Sequence, residues 1–345
     1  LIHPQVSCDS HKAEETHGTA EEDAASVLIE MAFGGSALSR NDKASQVHTG
    51  AFAHKFVDTL DDSNITSYTG LPSMELLESL VACYLQVQQI HGRSRLTAEE
   101  RIVLTLIKLK HNISNTFLKH MFGCSLTTCT NAITQTIGIL AQILSSVVML
   151  PSKEEVMENM PIHFRQFSNV RIIVDCTEIP VSQPNCLQCA LRCYSVYKKT
   201  FTSKYMITVT PGGVIAHVTQ GYGGRTSDKT IFEQSKLLDN LDPVSDAVMA
   251  DRGFLIDDCC AERLIELIRP PFKKGQQMTK GDSVRTQKIA SARVYVERVI
   301  QRMKIFKILS TRVPWRMVGQ LDSIMKVVAG ITNLSAPVVA PQRFL

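Results

Sequence analysis

The spacing of hydrophobic positions changes along the chain, from a helical period before about residue 165 to a strand period after it. Over residues 73–84, apolar side chains recur every three or four positions behind Ser73, which predicts a helix with one buried face. Thr97 and Glu100 have the spacing of a capping box and predict the start of a second helix. Residues 56–165 are therefore expected to be helical.

A helix-turn-helix is predicted over about residues 96–150. A short apolar-periodic helix ends at Gly123, and Ser125 is placed to cap a long helix behind it. The exposed polar positions at the start of this recognition helix are Thr127, Thr128, Thr130 and Asn131. No Lys or Arg occurs between Lys119 and Lys153, so the helix offers no cation to guanine or phosphate. The alternative is that these helices only pack on the rest of the protein.

Strand patterns begin at Arg171. Residues 171–179, 205–210 and 214–219 read as a three-strand meander, with a tight turn between the last two. A helix fits 227–238, a fourth strand fits 247–250, and a long helix fits 289–307. Strands that are first antiparallel and then interleaved with helices predict an α/β fold with a mixed sheet flanked by helices.

These patterns divide the chain into four parts. Residues 1–55 are rich in small residues, His and acids without a sustained period, and are expected to form a disordered acidic tail. Residues 56–165 form the helical region, 166–335 the sheet domain, and 336–345 a C-terminal tail.

The composition indicates an ordinary globular protein, with 44% hydrophobic and 20% charged residues. Its longest weakly polar run is too short to cross a bilayer, so no membrane association is expected. No charged and then apolar leader follows Leu1, so we expect an intracellular chain whose true start lies upstream. The dense group Cys186, Cys189 and Cys193 could give three thiolates to zinc, but no fourth ligand stands out, and reduced loop thiols are favoured.

Charge is distributed unevenly along the chain. Residues 1–62 hold 4 Lys/Arg against 11 Asp/Glu, whereas residues 269–307 hold 11 Lys/Arg against 2 acids. A basic stretch of this density can neutralise DNA phosphates, although a solvated helix face would also account for it.

Three separated carboxylates are the candidates for catalysis. Asp175 follows the apolar run 172–174 and Asp251 follows 248–250, where an ionised carboxylate is costly without a cation. Glu297 lies beside the apolar stripe of the long helix, among several Arg and Lys side chains. A helical Glu in such surroundings is more often a salt-bridge partner, and only its combination with the two aspartates favours catalysis.

Such a set suits two Mg²⁺ or Mn²⁺ ions, which prefer oxygen ligands. A pair of ions can activate the attacking water or 3′ hydroxyl of DNA and stabilise the leaving oxygen of a phosphodiester. The basic residues expected to hold the backbone of the double-stranded DNA are Lys273, Lys274, Arg293, Arg298, Arg302 and Lys304.

Six ordered motifs then resemble one known family. They are VDCTEIP at 174–180, the YS and KK pairs within 194–199, GGRTSDK at 223–229, ADRGF at 250–254, PPF at 270–272 and VER at 296–298. In this order they resemble the DDE superfamily endonuclease domain of PIF/Harbinger-like transposases, including the helix-turn-helix that precedes it.

The resemblance implies a ribonuclease-H-like (retroviral-integrase-like) fold, with the family's catalytic and metal-binding carboxylates at Asp175, Asp251 and Glu297. Asp228 also matches a family motif, but a helix cap explains it equally well, so it is kept as an accessory candidate. The chain departs from the family at residues 198–204, which read KKTFTSK where a His-Asn pair is usual. The zinc module that precedes the nuclease in some relatives is not visible here.

Two functions follow from different readings of the same residues. The first is an active, metal-dependent nuclease that cuts and joins DNA strands in the nucleus, as a homo-oligomer on DNA and with a separate DNA-binding protein as a possible partner. The second is a domesticated, catalytically silent relative that acts as a DNA-binding or protein-interaction factor. An intact triad favours the first, because buried carboxylates are costly to keep without a use.

Overall fold

The computed structural model describes residues 56–88, 95–271 and 279–338. The expected tail at 1–55, the end of the expected C-terminal tail, and Lys273 and Lys274 lie outside these ranges. Within them the α-helices are α1 (Ile65–Thr69), α2 (Met74–Val87), α3 (Ala98–His111), α4 (Asn115–Met121), α5 (Leu126–Leu144), α6 (Lys153–Glu158), α7 (Leu187–Cys193), α8 (Asp228–Ser235), α9 (Asp257–Glu262), α10 (Lys280–Met303), α11 (Lys307–Ser310) and α12 (Leu321–Leu334). None of these helices is both long and apolar enough to cross a membrane.

The helical region begins its elements where the sequence predicted. Thr97 and Glu100 form the capping box of α3, and the Ser125 hydroxyl accepts the Thr128 amide hydrogen at the start of α5. Gly123 lies between α4 and α5 with a φ of +55°, a left-handed conformation that favours glycine. Helix, glycine turn and capped helix are thus present in the predicted order.

Within the described ranges the sheet has seven strands, three of which are longer than three residues. The strands are β1 (Val170–Pro180), β2 (Tyr194–Ser195), β3 (Thr200–Val209), β4 (Ile215–Val218), β5 (Tyr222–Gly223), β6 (Ala247–Met249) and β7 (Glu266–Ile268). β1 pairs antiparallel with β3 on one side and parallel with β6 on the other, and β7 continues the parallel part. β2, β4 and β5 all pair antiparallel with β3.

Helices cover both faces of this sheet, so the fold is mixed α/β and ribonuclease-H-like, with a helical region before it. Side chains alternate along β1: Ile173 belongs to the larger core on the α10 side, whereas Ile172 and Val174 belong to a smaller core with α8. The predicted apolar stripe of the long helix, at Ile289, Ala292, Val296, Val299 and Met303, is buried throughout.

The larger core is continuous across the expected domain boundary at residue 165. It joins α5 of the helix-turn-helix to α12, the last helix of the sheet domain. The two helices approach so closely at Gly330 that a Cβ there would lie 2.7 Å from the Cβ of Leu144. The helix-turn-helix is therefore packed onto the sheet domain rather than tethered to it.

An ion cluster anchors the start of the sheet. The Asp246 carboxylate, which is 2% exposed, contacts the Lys153 ammonium at 2.6 Å and the Arg171 guanidinium at 3.8 Å. Arg171 also donates to the carbonyls of Pro151 and Ser152. This cluster ties α6 to β1 and to the loop before β6.

Candidate active site

Asp175 lies in β1 with its side chain on the face that α10 covers. Its Oδ1 accepts a hydrogen bond of 2.9 Å from the amide of Cys176. Burial raises the pKa of Asp175 to about 6, against the lowering effect of the Arg293 charge. The charges of Asp251 and Glu297 raise this pKa further, so both carboxylates lie close enough to Asp175 to act on it electrostatically.

Asp251 follows β6, the parallel neighbour of β1. Ile173 pairs with Met249, and each aspartate lies two residues beyond its strand's member of this pair. Parallel neighbours are about 4.8 Å apart, so the register places both carboxylates at the same height and on the same face. Oδ1 of Asp251 accepts a 2.7 Å hydrogen bond from the Arg252 amide, and the side chain is 53% exposed.

Arg293, on α10, places its guanidinium between the two aspartates. Its Nη1 donates to Asp251 Oδ1 at 2.9 Å, and its Nη2 lies 4.0 Å from Asp175 Oδ2. The residue is only 8% exposed. Arg293 was expected to hold the DNA backbone, but in this arrangement its guanidinium is buried against carboxylates instead of facing outwards.

Glu297 lies one turn beyond Arg293 on the same face of α10. The side chain is exposed, and no ion pair within the described ranges involves it. The salt bridge that α-helical spacing suggested is thus not seen. Its charge acts on Asp175 instead, as the raised pKa of that aspartate records.

The chemistry of these residues fits a divalent cation. Two carboxylates at one height on neighbouring strands attract positive charge. The Arg293 guanidinium supplies that charge here and lies where a metal cation would lie between them. In the present arrangement, no group of three or more His, Cys, Asp and Glu side chains in the described ranges is close enough together to hold one metal ion. Two carboxylates and a guanidinium, with Glu297 beside them, are what the site contains.

Asp228 lies away from this site. It belongs to the other face of the sheet, where the Lys204 ammonium contacts its Oδ1 at 3.3 Å and the Glu178 carboxylate at 3.8 Å. Glu178 is displaced from Asp175 by three positions in β1, and so points to the opposite face. An accessory role for Asp228 beside Asp175 is not supported, because a buried ion cluster and a helix start account for it. This cluster was not predicted from the sequence, because it depends on the pairing of Glu178 with Lys204 across β1 and β3.

The remaining basic candidates do not share one face of α10. At 100° per residue, Lys304 just after α10 falls within about 20° of Arg293, whereas Arg298 and Arg302 fall about 140° and 180° away. Arg302 donates to the carbonyl of Ala336 on that far face. Burial lowers the pKa of Lys304, the charge of Lys198 lowers it further, and the carboxylates of Glu178 and Asp175 raise it. Of these basic residues, Lys304 is the one that the structure brings towards the carboxylates.

The recognition helix presents part of its predicted surface. Thr127, Thr130 and Asn131 are exposed on the first two turns of α5, whereas the Thr128 hydroxyl is half-buried and bonds to Ser125. Asn115 of α4 donates to the Thr130 hydroxyl at 3.2 Å. Thr127 and Asn131 are therefore exposed near the start of α5, as predicted for the surface of this helix.

The three cysteines that were expected to be reduced loop thiols, with zinc as the alternative, lie around the helix α7. Cys186 is its N-cap, Cys189 is half-buried and Cys193 is buried. None of the nine described cysteines forms a disulfide with another of them. Among the described residues, these three thiols form no group that could hold a metal ion.

Comparison with known proteins identifies both modules. The family model described as DDE superfamily endonuclease matches residues 174–333, and the model for the helix-turn-helix of DDE superfamily endonuclease matches residues 94–146. No curated protein and no solved structure matches the chain. The first match spans Asp175, Asp251 and Glu297, and the second spans α3 to α5. The chain thus carries a helix-turn-helix and an endonuclease domain of the DDE superfamily type, and the two modules share one continuous core.

Proposed function

We propose that this protein is a divalent-metal-dependent DNA nuclease of the PIF/Harbinger transposase type, with Asp175, Asp251 and Glu297 as its catalytic and metal-binding residues. The observation that carries the proposal is the register of β1 and β6. It brings Asp175 and Asp251 to one height, with the positive charge of Arg293 between them. Its compartment is the nucleus, where the DNA substrate lies.

The three carboxylates are the residues that would hold the metal ions. Asp175 and Asp251 would hold a Mg²⁺ or Mn²⁺ pair together with Glu297, and the ions, when bound, supply activation of the attacking oxygen and stabilisation of the leaving one. Asp175 accepts an amide hydrogen bond and Asp251 accepts another, so both carboxylates are held in fixed orientations. Glu297 is carried by a helix whose apolar stripe is buried, which fixes its height above the sheet.

DNA binding is assigned to two separate surfaces. Lys304 and Lys198 lie on the approach to the carboxylates and would neutralise phosphates of the scissile strand. Thr127 and Asn131 would reach a groove from α5. Because α5 carries no Lys or Arg, a separate DNA-binding protein and assembly of several copies on the DNA would supply the missing affinity.

The test uses labelled DNA that is incubated with the protein in Mg²⁺, in Mn²⁺ and in EDTA. We expect nicking with either metal, none in EDTA, and none with Asp251→Asn or Glu297→Gln. Asp239→Asn and Glu262→Gln are matched controls, because both are exposed acids outside the site. Equal nicking by wild type and Asp251→Asn, or nicking in EDTA, contradicts the metal mechanism.

A non-enzymatic function is the second candidate. Arg293 satisfies Asp175 and Asp251 without any metal, which is the arrangement expected of a silent relative that only binds DNA or a partner protein. This candidate predicts DNA binding by the wild type together with no nicking in any metal. It also predicts that Asp251→Asn binds DNA as the wild type does.

A further inference from the structure

The hairpin that joins β2 to β3 carries exposed apolar and basic side chains side by side at its tip. Val196 is 74% exposed and Tyr197 is 83% exposed, and Lys198 and Lys199 follow them directly. The Lys198 ammonium lies 4.8 Å from the centre of the Tyr197 ring. We call residues 196–199 the hairpin tip.

The hairpin below the tip is firmly built. Tyr194 pairs with Phe201 in the ladder, and their rings meet edge to face with centres 5.5 Å apart. The Ser195 hydroxyl accepts the Lys198 amide hydrogen, and Lys199 takes a left-handed φ of +53° to close the turn. The exposure of Val196 and Tyr197 therefore results from a defined turn and not from a lack of local structure.

The chain segment that contains the tip carries charge of one sign. From residue 179 to residue 227 the chain holds five Lys/Arg and no Asp or Glu. A turn with two exposed lysines and an exposed aromatic ring is complementary to a nucleic-acid strand, because lysines neutralise phosphates while the ring stacks on a base. A second copy of the chain fits less well, since a symmetric contact would place the same cations opposite each other.

The tip also belongs to the approach to the carboxylates. Arg312 donates to the Thr200 hydroxyl at the base of the hairpin, which ties β3 to the segment that follows α11. Lys304, between α10 and α11, feels the charges of both Lys198 and Asp175. A strand whose phosphate reaches Asp175 by way of Lys304 would continue towards Lys198.

We infer that the hairpin tip is a binding site for an unpaired base of the DNA beside the cut, with Tyr197 stacking on the base and Lys198 contacting the adjacent phosphate. This inference rests on the proposed function, because it takes DNA as the ligand of the site. It adds a single-strand contact that neither the carboxylates nor the recognition helix provides.

The test measures binding in EDTA, so it does not depend on cleavage. The two probes are a blunt duplex and the same duplex with a three-nucleotide 3′ overhang containing 2-aminopurine. We expect Tyr197→Ala to weaken binding of the overhang probe about tenfold while duplex binding changes little. The wild type and Tyr197→Phe should quench 2-aminopurine fluorescence, and Tyr197→Ala should not. Met149→Ala, another large exposed apolar side chain, is the control.

Lys198→Ala separates charge from stacking. It should weaken binding of both probes and reduce the slope of log K against log salt by about one. The inference is overturned if Tyr197→Ala binds both probes as tightly as the wild type and still quenches the fluorescence. It is also overturned if the wild type fails to bind the overhang probe. Self-association of the wild type that Tyr197→Ala abolishes, without any effect on DNA binding, would assign the tip to contacts between copies. Loss of nicking with the overhang effect intact would instead count against the proposed function alone.

Discussion

Replacement of Arg293 by Met tests whether its guanidinium takes the place of a metal ion. The substitution keeps the length and the apolar stem of the side chain but removes the charge between Asp175 and Asp251. Arg298→Met is the matched control, because Arg298 lies on the same helix about 140° away from Arg293. Both variants lose one positive charge, so a difference between them reports position.

The size of the effect follows from the contacts. The 2.9 Å bond to Asp251 is a charge-assisted hydrogen bond, a class that contributes about 1.5–3 kcal/mol. Because Asp251 is 53% exposed, the lower half of that range applies. Asp175 adds a contribution, since it loses its counter-charge at 4.0 Å while Asp251 and Glu297 still repel it. We expect a loss of about 2 kcal/mol in metal-free protein, or roughly 3 °C in Tm for a chain of this length.

Divalent metal should reverse this loss. In the wild type, an ion must displace the guanidinium from the two carboxylates, and in Arg293→Met it need not. Mn²⁺ at about 100 times its Kd stabilises a protein by about 2.7 kcal/mol, so the variant should regain its Tm at a lower Mn²⁺ concentration than the wild type needs. The assay is a thermal melt against Mn²⁺ concentration, with calorimetric titration for Kd. Equal melts and equal Mn²⁺ shifts for Arg293→Met and Arg298→Met would refute the reasoning.

Three further predictions concern acidity and packing. The pKa of Asp175 in the folded state, about 6, lies above its ordinary 3.8, so the folded state holds this proton more tightly. The resulting stabilisation is complete below about pH 4 and is lost as the pH rises through 6. Asp175→Asn should therefore flatten this fall in the unfolding free energy of metal-free protein, and an unchanged fall would contradict the prediction. Gly330→Ala should cost about 1–3 kcal/mol in denaturant titrations, because its Cβ would meet Leu144, whereas Gly253→Ala, with open space at its Cβ, serves as the control. Asp246→Ala should cost about 3–5 kcal/mol, because it leaves two buried or half-buried cations without their carboxylate, and a loss no larger than that of Asp239→Ala would contradict this.

The sequence predicted the elements that repeat a strong local pattern. The helix starts at Thr97 and Ser125 and the apolar stripe of α10 are confirmed, because caps and periodicity depend on neighbours within a few residues. The second strand was predicted too short: β3 begins at Thr200, since its polar first half is held by pairing with β1 and β2 rather than by its own apolar side chains. The predicted long helix ends at Met303 instead of residue 307, and the short strand β7 was missed because three residues carry no period.

The sequence marked individual residues of the candidate site through local patterns but did not give their arrangement in space. Asp175 and Asp251 stood out because each follows an apolar run, but their common height depends on strand register, which one sequence does not specify. Arg293 was assigned to DNA because its charge was visible and its burial was not. The spacing of four residues between Arg293 and Glu297 was the available signal, since it places both on the face of α10 that meets the sheet.

The close approach of α5 and α12 at Gly330 fixes the distance between the helix-turn-helix and the sheet that carries the carboxylates. A helix-turn-helix on a flexible linker could let the nuclease cut at a range of distances from the sequence it recognises. Here the elements that carry Asn131 and Asp251 pack on one continuous core, so the distance between these two residues does not vary. Under the proposed function, base pairs inserted between the recognised sequence and the cut should therefore abolish cleavage by a given copy rather than move it along the DNA.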